Sequence, residues 1–577
     1  MSDSSGLSRF IGFCFGSWKR IVVTCIVLTA LAFAAYGYGV IRSAGIAARQ
    51  STAPGSAEEH ATTEGGKYTV GAANVPVHPM GLFAEHSAEA AAFPLGPPEA
   101  SEEKIPAWWE KPSPLTIKEI GFLRYLSALT WKLPRDQWNK YWNIGGNQTG
   151  LQTVRFYAAF TGYAAVALGM RTPAYTGLTS KIVLSAIEHL LDRKAWSYVR
   201  LLWKNKPWYP DPAADENIMY TGHLLQLMVF YEMMTGDDRF RTEGFDLVWD
   251  EDTKFHYDVM KLVDITVKQM RRNPTGGVAC EPRHIFFTCN THPHVALRVL
   301  EGLGLGDWSA DRAKWEKFVL DSFYDELGGG AIKCVYHQDK KKFFPIGFPG
   351  MDGWSLMWYS TWAADPTVPE SLWQITRKRT SGDLFKRRGF VKREKPKLHG
   401  TADFVSYLFA IVQATLPPIP AATFLYPAAS ACNDKESAAR LRQEIEKRFL
   451  KTRHGMAFLK IPHRFNIGSN ANMALGLALE NGSNMRHLVQ RPLPRDYLEG
   501  PLITDARPDT VVVGQAFRED RDLVVEFASL GPSDFALKNV PGIRSVEGIP
   551  AGDWSYKDGV LHIEASGRHQ IRIVVEP

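Results

Sequence analysis

The residues best suited to chemistry lie in about a seventh of the chain, from Asp215 to Asn290. His223 follows Met219 by four positions, so on a helix the imidazole and the thioether share one face. Cys280 and Cys289 follow, nine positions apart, with a carboxylate beside the first. Because imidazole, thiol and carboxyl groups exchange protons and a thiolate can add to carbon, this segment predicts acid–base or nucleophilic catalysis.

The same residues also have purely structural explanations. His223 lies on an apolar helical run, where an imidazole is often a hydrogen-bonded core residue. Asp215 and Glu216 stand where residues that cap a helix start are found. The spacing of the two cysteines permits a structural disulfide as well as a pair of reactive thiols. The sequence leaves these alternatives open.

A metal centre is a weaker hypothesis for this segment. His284, His292 and His294 lie near the cysteines, but no CxxC or HxxxH pattern orders them as zinc ligands. The nucleophile elbow, the phosphate loop and the dinucleotide fingerprint do not occur in the sequence. We therefore expect neither a metal nor a cofactor.

Composition limits the class of protein. The 577 residues carry 67 basic and 61 acidic side chains, a net charge of +6. This small imbalance gives no argument for nucleic acid binding. The length exceeds what one hydrophobic core usually supports, so we expect a large domain with a smaller companion.

The amino-terminal segment predicts a membrane anchor. Ile21–Ile41 contains no charged residue, and 21 residues at about 1.5 Å rise span roughly 30 Å, the thickness of a bilayer core. We predict that residues 1–42 form an uncleaved, single-pass signal anchor, with the globular part outside the cytoplasm. A cleaved export signal is the alternative, although its apolar core is usually shorter. Residues 43–107 are rich in Ala, Gly, Pro, Ser and Glu and predict a flexible tether.

Helical periodicity dominates residues 108–500, with Glu216–Thr235, Asp252–Arg272 and Lys435–Phe449 among the predicted helices. Eleven or twelve helices with short connections favour a mainly α fold, an (α/α)6 toroid. After residue 500 the pattern changes to short β-branched runs bounded by Gly, Pro and Asp. Residues 501–577 therefore predict a small antiparallel β module.

Two motifs resemble the linalool dehydratase-isomerase family, bacterial enzymes that act on monoterpene alcohols. Glu216–Leu224 resembles the family's helix that carries a pocket methionine and a catalytic histidine, which correspond to Met219 and His223. Cys280 through Asn290 resembles its segment with two active-site cysteines. The resemblance covers roughly residues 115–449.

The resemblance implies a set of functional residues. Cys280 and Cys289 would be catalytic together with His223, and Phe286 would line the pocket. The family's second-helix tyrosine falls at Phe156 or Tyr157, and Tyr157 is our candidate substrate contact.

The first helix departs from the family pattern. The family's aspartate there corresponds either to Ser127 or, with a shorter connection, to Asp136. The resemblance also implies an (α/α)6 fold and a homo-oligomer with its pocket near a subunit interface.

These observations predict a lyase or isomerase that acts on a small apolar, allylic or terpenoid alcohol without a cofactor. Glu281 is expected to orient Cys280 or His223. One alternative is a polysaccharide lyase or glycosidase, for which Tyr336, His337 and Asp352 are candidates. Another is a non-catalytic, membrane-tethered scaffold. A closed apolar pocket at His223 would favour the alcohol, and an open polar cleft would favour glycans.

Overall fold

The computed structural model describes residues 107–138, 142, 154–323, 332–333, 335–344, 349–379, 419–461, 463–507 and 510–577. The predicted membrane segment and almost all of the predicted tether lie outside these residues. Within the described ranges, every helix is too short or too polar to cross a membrane. The anchor, the tether and the domain limits stay predictions.

The described residues form twelve helices of at least ten residues each. In chain order they are α1 Ile117–Leu129, α2 Val154–Gly169, α3 Gly177–Leu191, α4 Ile218–Thr235, α5 Val259–Arg272, α6 Phe287–Gly302, α7 Ser309–Phe318, α8 Pro349–Trp362, α9 Thr367–Arg379, α10 Ile419–Ala431, α11 Lys435–Phe449 and α12 His463–Glu480.

The even-numbered helices form a closed ring. Helix α2 packs on α4, α4 on α6, α6 on α8, α8 on α10, α10 on α12, and α12 packs back on α2. The odd-numbered helices pack against these inner helices from outside, as α3 does on α2 and α4, and α11 on α10 and α12. Six inner and six outer helices in alternation are the predicted (α/α)6 arrangement.

Side-chain patterns explain which helices are inner and which are outer. Inner helix α4 is apolar on nearly all sides, and 16 of its 18 residues are buried. Outer helix α5 buries one stripe at spacings of three and four, including Val259, Leu262, Val263 and Met270. A helix that is apolar all round belongs in a core, whereas an amphipathic helix covers one.

Glycines allow the inner helices to approach one another closely. A Cβ added at Gly162 of α2 would lie 2.5 Å from Leu227 of α4, and one at Gly468 of α12 would lie 2.6 Å from Tyr157 of α2. Glycines occupy the same kind of position at other contacts of the ring, namely Gly222 between α4 and α6, Gly353 between α8 and α10, and Gly476 between α12 and α10.

Short strands interrupt the helices. Strands β1 (Phe245–Val248) and β2 (Lys254–Tyr257) form a hairpin before α5. The prediction of a helix over Asp252–Arg272 is therefore wrong at its start, where Asp258 caps α5 through the backbone N–H of Lys261. Strands β3 (His284–Phe286), β4 (Val335–His337) and β5 (Lys342–Phe344) form a small antiparallel sheet. Strands β6 (Leu450–Arg453) and β7 (Met456–Leu459) form another hairpin.

The predicted carboxy-terminal β structure consists of two four-stranded antiparallel sheets. Their orders are β12-β15-β10-β9 and β13-β14-β11-β8. The strands are β8 Leu502–Asp505, β9 Val511–Glu519, β10 Asp522–Ser529, β11 Ser533–Lys538, β12 Ile543–Glu547, β13 Trp554–Lys557, β14 Val560–Ile563 and β15 Gly567–Val575.

The two sheets face each other, and both are hydrogen-bonded to the helical part of the chain, the second through Ile503 of β8 and the segment before α3. Phe527 of β10 and Phe535 of β11 bring their ring centroids to 5.0 Å across the interface. The backbone N–H of Leu115 donates to the Gly514 carbonyl at 2.7 Å, and that of Ala174 donates to the Ala516 carbonyl at 3.1 Å. The first seven of the nine residues of β9 are buried, so this strand is covered on both faces over most of its length.

The close approach of α8 and α10 yields a test of the ring. A Cβ at Gly353 would lie 2.8 Å from the Phe424 carbonyl oxygen, a backbone atom that cannot rotate away. We expect Gly353→Ala to lower the free energy of unfolding by about 1–3 kcal/mol, as overpacked cores do. Chemical denaturation measures this loss. Gly531→Ala is the control because nothing lies within 4 Å of its added Cβ, and equal stability of the two variants would contradict the close contact.

Candidate active site at the amino ends of the inner helices

The amino-terminal turns of the inner helices meet at one end of the ring. Arg155 in the first turn of α2 donates from Nη2 to Met219 Sδ of α4 at 3.6 Å. Thr288 at the start of α6 and Ser355 of α8 share a hydroxyl hydrogen bond of 2.9 Å. The inner helices are therefore parallel, and residues far apart in sequence lie side by side at this end.

The loop that carries Cys280 is held by α6 and α4. The side-chain amide of Asn290 accepts from the Val278 backbone N–H at 2.7 Å and donates to the Val278 and Phe286 carbonyls at 2.9 Å. The first N–H of α4, at Ile218, donates to the Ala279 carbonyl. Together these bonds fix the backbone on both sides of the loop and deliver Cys280 to the site.

Cys280 and Cys289 are neighbouring thiols. Their Sγ atoms are 3.0 Å apart, with Cys280 donating, and both residues are buried. Burial, and then the hydrogen bond with Cys289, raise the pKa of Cys280 well above its usual value. Charge on Glu281 acts in the same direction, whereas the positive charge of Arg155 opposes it. Cys280 is thus a neutral S–H donor at neutral pH.

His223 lies in the second turn of α4 and is only 2% exposed. Its Nδ1 and the hydroxyl of Tyr163 on α2 are 2.8 Å apart. Burial, followed by the positive charge of Arg155, lowers the pKa of His223 to about 3. The imidazole is therefore neutral at physiological pH, and Nε2 has no hydrogen-bond partner among the described residues.

A second buried histidine, His292 of α6, packs against His223 with ring centroids 3.8 Å apart. The indole N–H of Trp354 donates to its Nε2 at 3.1 Å, and its Nδ1 lies 2.7 Å from Gln226 Oε1. Burial and then His223 lower the pKa of His292 well below its usual value. Because both of its ring nitrogens already have hydrogen-bond partners, His292 packs against His223 and offers no free nitrogen to a substrate.

Arg155 is the common charged neighbour of the predicted site residues. Its guanidinium lies over the rings of Phe156 and Tyr198, at 4.3 and 4.2 Å from their centroids. Its charge acts on the protonation of His223, Cys280 and Glu281. Three residues that the sequence placed in one site are therefore close to one buried cation.

The turn before α4 has an unusual backbone. Glu216 and Asn217 both adopt positive φ angles, 54° and 59°. Neither Asp215 nor Glu216 caps the helix, contrary to the structural explanation considered from the sequence. Glu216 accepts from the indole N–H of Trp203 at 2.6 Å, and Asp215 pairs with Arg272 at 2.5 Å. Backbone strain of this kind is often found at functional sites.

The predicted pocket residues divide into two groups. Met219 is buried beside Arg155, and Glu281 is half-buried, with burial raising the pKa of its carboxyl group. Phe286 is half-buried, and its carbonyl is held by Asn290 at the start of α6. Tyr157 packs against Gly468 of α12, and its role as a substrate contact stays a prediction.

Neither Ser127 nor Asp136, the two candidates for the first-helix acid, contacts His223 in the described part of the chain. Ser127 donates to the Leu123 carbonyl within α1, and Asp136 is exposed in a short turn. Ser127 instead lines a cavity of about 70 Å³ between α1, α3, β7 and β9, which contains none of the predicted site residues. Within the described ranges, no three His, Cys, Asp or Glu side chains are grouped to hold a metal ion.

Sequence reasoning missed two residues of the site, and each had a recognisable signal. Arg155 is the one charged residue in the apolar sequence of α2. Tyr163 follows Phe156 and Phe160 at the spacing of one helical face. Continuing that face by one turn would have placed Tyr163 beside the residues considered for the pocket.

Comparison with known families agrees with this geometry. The model of the linalool dehydratase/isomerase family matches residues 155–463, more than half of the chain. The chain belongs to the linalool dehydratase/isomerase family. The match begins at Arg155 and includes His223, Cys280 and Cys289. Membership of this family supports an enzymatic role for the protein.

Among solved structures, the chain is similar to an inactive variant of an alpha-1,6-mannanase from a Salegentibacter species, in complex with alpha-1,6-mannotetrose. The sequence identity is 10%, the alignment covers 63% of this chain and 98% of that chain, and the TM-score is 0.35. Similarity at this level supports no conclusion about fold or function.

The raised pKa of Cys280 predicts slow alkylation. At pH 7.5 the thiolate is scarce, so we expect iodoacetamide to modify Cys280 at least about tenfold more slowly than in denatured protein. The rate should rise about tenfold per pH unit until the thiol ionises. Peptide mass spectrometry measures both rates.

Denatured protein without reductant is the control, because thiols are modified there and a disulfide is not. Rapid labelling of the folded protein at pH 7.5 would contradict the raised pKa. Failure to label the denatured protein would show a disulfide.

Proposed function

We propose that this enzyme removes water from, or moves the hydroxyl group of, an apolar allylic or terpenoid alcohol, without a cofactor. The observation that supports the proposal is that Cys280 and Cys289 are hydrogen-bonded and that the charge of Arg155 acts on both Cys280 and His223. His223, Cys280 and Cys289 come from α4, from a loop and from α6, and α4 and α6 pack directly against each other.

The surroundings of His223 favour an apolar substrate. The Phe156 and Phe160 rings contact it edge-on at centroid distances of 5.6 and 6.2 Å. Phe160 also packs against Trp354 at 4.3 Å, and Trp354 against Phe424 at 5.5 Å. A glycan would need an open polar cleft, so this enclosed aromatic environment supports the alcohol over the polysaccharide alternative.

One thiol is sufficient for a balanced dehydration. Its S–H proton passes to the hydroxyl oxygen as the C–O bond breaks, and water leaves. The resulting thiolate then removes a proton from a neighbouring carbon, so that the electron pair of the C–H bond forms the alkene and the thiol is restored. The second thiol, 3.0 Å away, can stabilise the intermediate thiolate by hydrogen bonding. If water instead adds to the other end of the allylic cation before the C–H proton is removed, the thiolate takes a proton from that water, and the isomerised alcohol and the thiol result.

The other side chains support this chemistry. His223 Nε2 is free to hydrogen-bond the substrate oxygen, and Met219 and Phe286 supply apolar contacts. Glu281, half-buried beside Cys280, can orient that thiol.

We also propose that residues 21–41 anchor the enzyme in a membrane, with the catalytic domain outside the cytoplasm. An uncharged run long enough to span a bilayer supports this proposal. Membrane attachment would suit an apolar substrate that partitions into lipid. A homo-oligomer is proposed from the family resemblance.

Substitutions test the catalytic assignment. We expect Cys280→Ala and Cys289→Ala each to lower kcat/KM by at least about 10²-fold, the usual contribution of a positioned proton-transfer group. His223→Ala should cost about 10²-fold as well, because it removes a hydrogen bond to the leaving oxygen. Gas chromatography with mass spectrometry of short terpene alcohols and their alkenes measures interconversion. Cys432→Ala is the matched control because Cys432 is buried beside the Pro369 carbonyl instead, and it should retain activity.

Activity within tenfold of wild type would remove a residue from the mechanism. Equal loss in the Cys432 variant would indicate a general effect on folding. A folded wild-type protein that converts no alcohol in a broad panel would instead favour the non-catalytic scaffold.

A further inference from the structure

The hydroxyl of Tyr163 has a single hydrogen-bond partner in the described part of the chain, His223 Nδ1 at 2.8 Å. Tyr163 is fully buried. The rings of Trp358, His292 and Phe230 surround it, with centroids at 4.7, 5.7 and 6.1 Å. These neighbours offer the phenolic proton no acceptor, since the Nδ1 of His292 is engaged by Gln226.

The direction of the bond follows from this environment. If His223 donated from Nδ1, the phenolic O–H would be buried without an acceptor. If Tyr163 donates, the O–H is paired, and the N–H without a partner is that of His223 Nε2. The first arrangement leaves both the phenolic O–H and Nε2 unpaired, whereas the second leaves only Nε2–H, which a substrate oxygen can accept, so the second is favoured. Burial also raises the pKa of Tyr163 well above its usual value, which keeps the proton on the phenol.

A neutral imidazole has one N–H and one acceptor nitrogen. Since Nδ1 accepts from Tyr163, the proton of His223 must be on Nε2. We propose that Tyr163 is a positioning residue that fixes His223 in the Nε2–H tautomer, so that His223 presents a hydrogen-bond donor to the substrate oxygen. The catalytic role of this tautomer rests on the proposed function. The tautomer assignment rests only on the hydrogen bond between Tyr163 and His223.

The neighbouring His292 should have the opposite tautomer. The Trp354 indole can only donate, so His292 Nε2 is an acceptor and Nδ1 carries the proton that Gln226 Oε1 accepts. Two imidazoles 3.8 Å apart are thus held in different protonation patterns by different partners. His292 is therefore an internal reference for His223.

The Nε2–H tautomer determines which role His223 can have in the reaction. A neutral imidazole that already holds its proton on Nε2 cannot accept another there. It can polarise the C–O bond by hydrogen bonding, as neutral histidines do in some isomerases. Removal of the carbon-bound proton then falls to a thiolate.

Nitrogen NMR tests the tautomer directly. The protein is labelled with ¹⁵N-histidine, and long-range ¹H–¹⁵N correlations are recorded at pH 7 on the full chain. His223→Gln and His292→Gln assign the two rings among the 16 histidines. We expect Nε2–H for His223 and Nδ1–H for His292. A His223 ring protonated on Nδ1 would overturn the inference.

The Tyr163→Phe variant removes the phenolic hydroxyl, keeps the aromatic packing and allows the effect on catalysis to be measured. Without the phenol, the His223 signals should shift to the Nδ1–H form or to a mixture. With an alcohol that the wild type converts, kcat should fall about tenfold while KM changes less than about threefold. An unchanged His223 spectrum in this variant would overturn the role of Tyr163. If the wild type converts no alcohol but the spectra are as expected, the proposed function fails and the tautomer stands.

Discussion

The hydrogen bonds of Asn290 hold the two cysteine-bearing segments together. Its side chain satisfies the N–H and the carbonyl of Val278 and the carbonyl of Phe286, all near the start of α6. Replacing this amide by an apolar group would leave buried backbone groups unpaired, at a cost of about 1–3 kcal/mol each. The 3.0 Å separation of the Cys280 and Cys289 sulfurs therefore depends on a residue that need not touch substrate.

Burial determines the chemical character of the site. It lowers the pKa of His223 to about 3 and raises the pKa values of Cys280 and Tyr163. Each group is thus held in its neutral form, because an unpaired charge in this environment is unfavourable. Neutral groups can still donate hydrogen bonds, and the proposed reaction needs donors at the leaving oxygen more than it needs resident ions.

Sequence patterns predicted some parts of the structure better than others. Helix α11 has the predicted limits, Lys435–Phe449, since its charged, alternating pattern is strong. Helix α10, with Pro427 inside it, and α12, which includes Gly468, were missed because packing in the ring overrides poor intrinsic helix propensity. In the site, motif spacing identified the histidine and the thiols. The tyrosine and the arginine that act on them come from α2, and only tertiary structure shows that contact.

The parallel inner helices also bias the electrostatics of the site. The amino end of each helix carries partial positive charge, and Arg155 adds a full charge at the same end of the ring. This field opposes a developing carbocation, and it offsets part of the cost that burial places on a thiolate. The field therefore favours a path in which C–O cleavage and proton removal are closely coupled, since coupling limits the positive charge that accumulates on carbon.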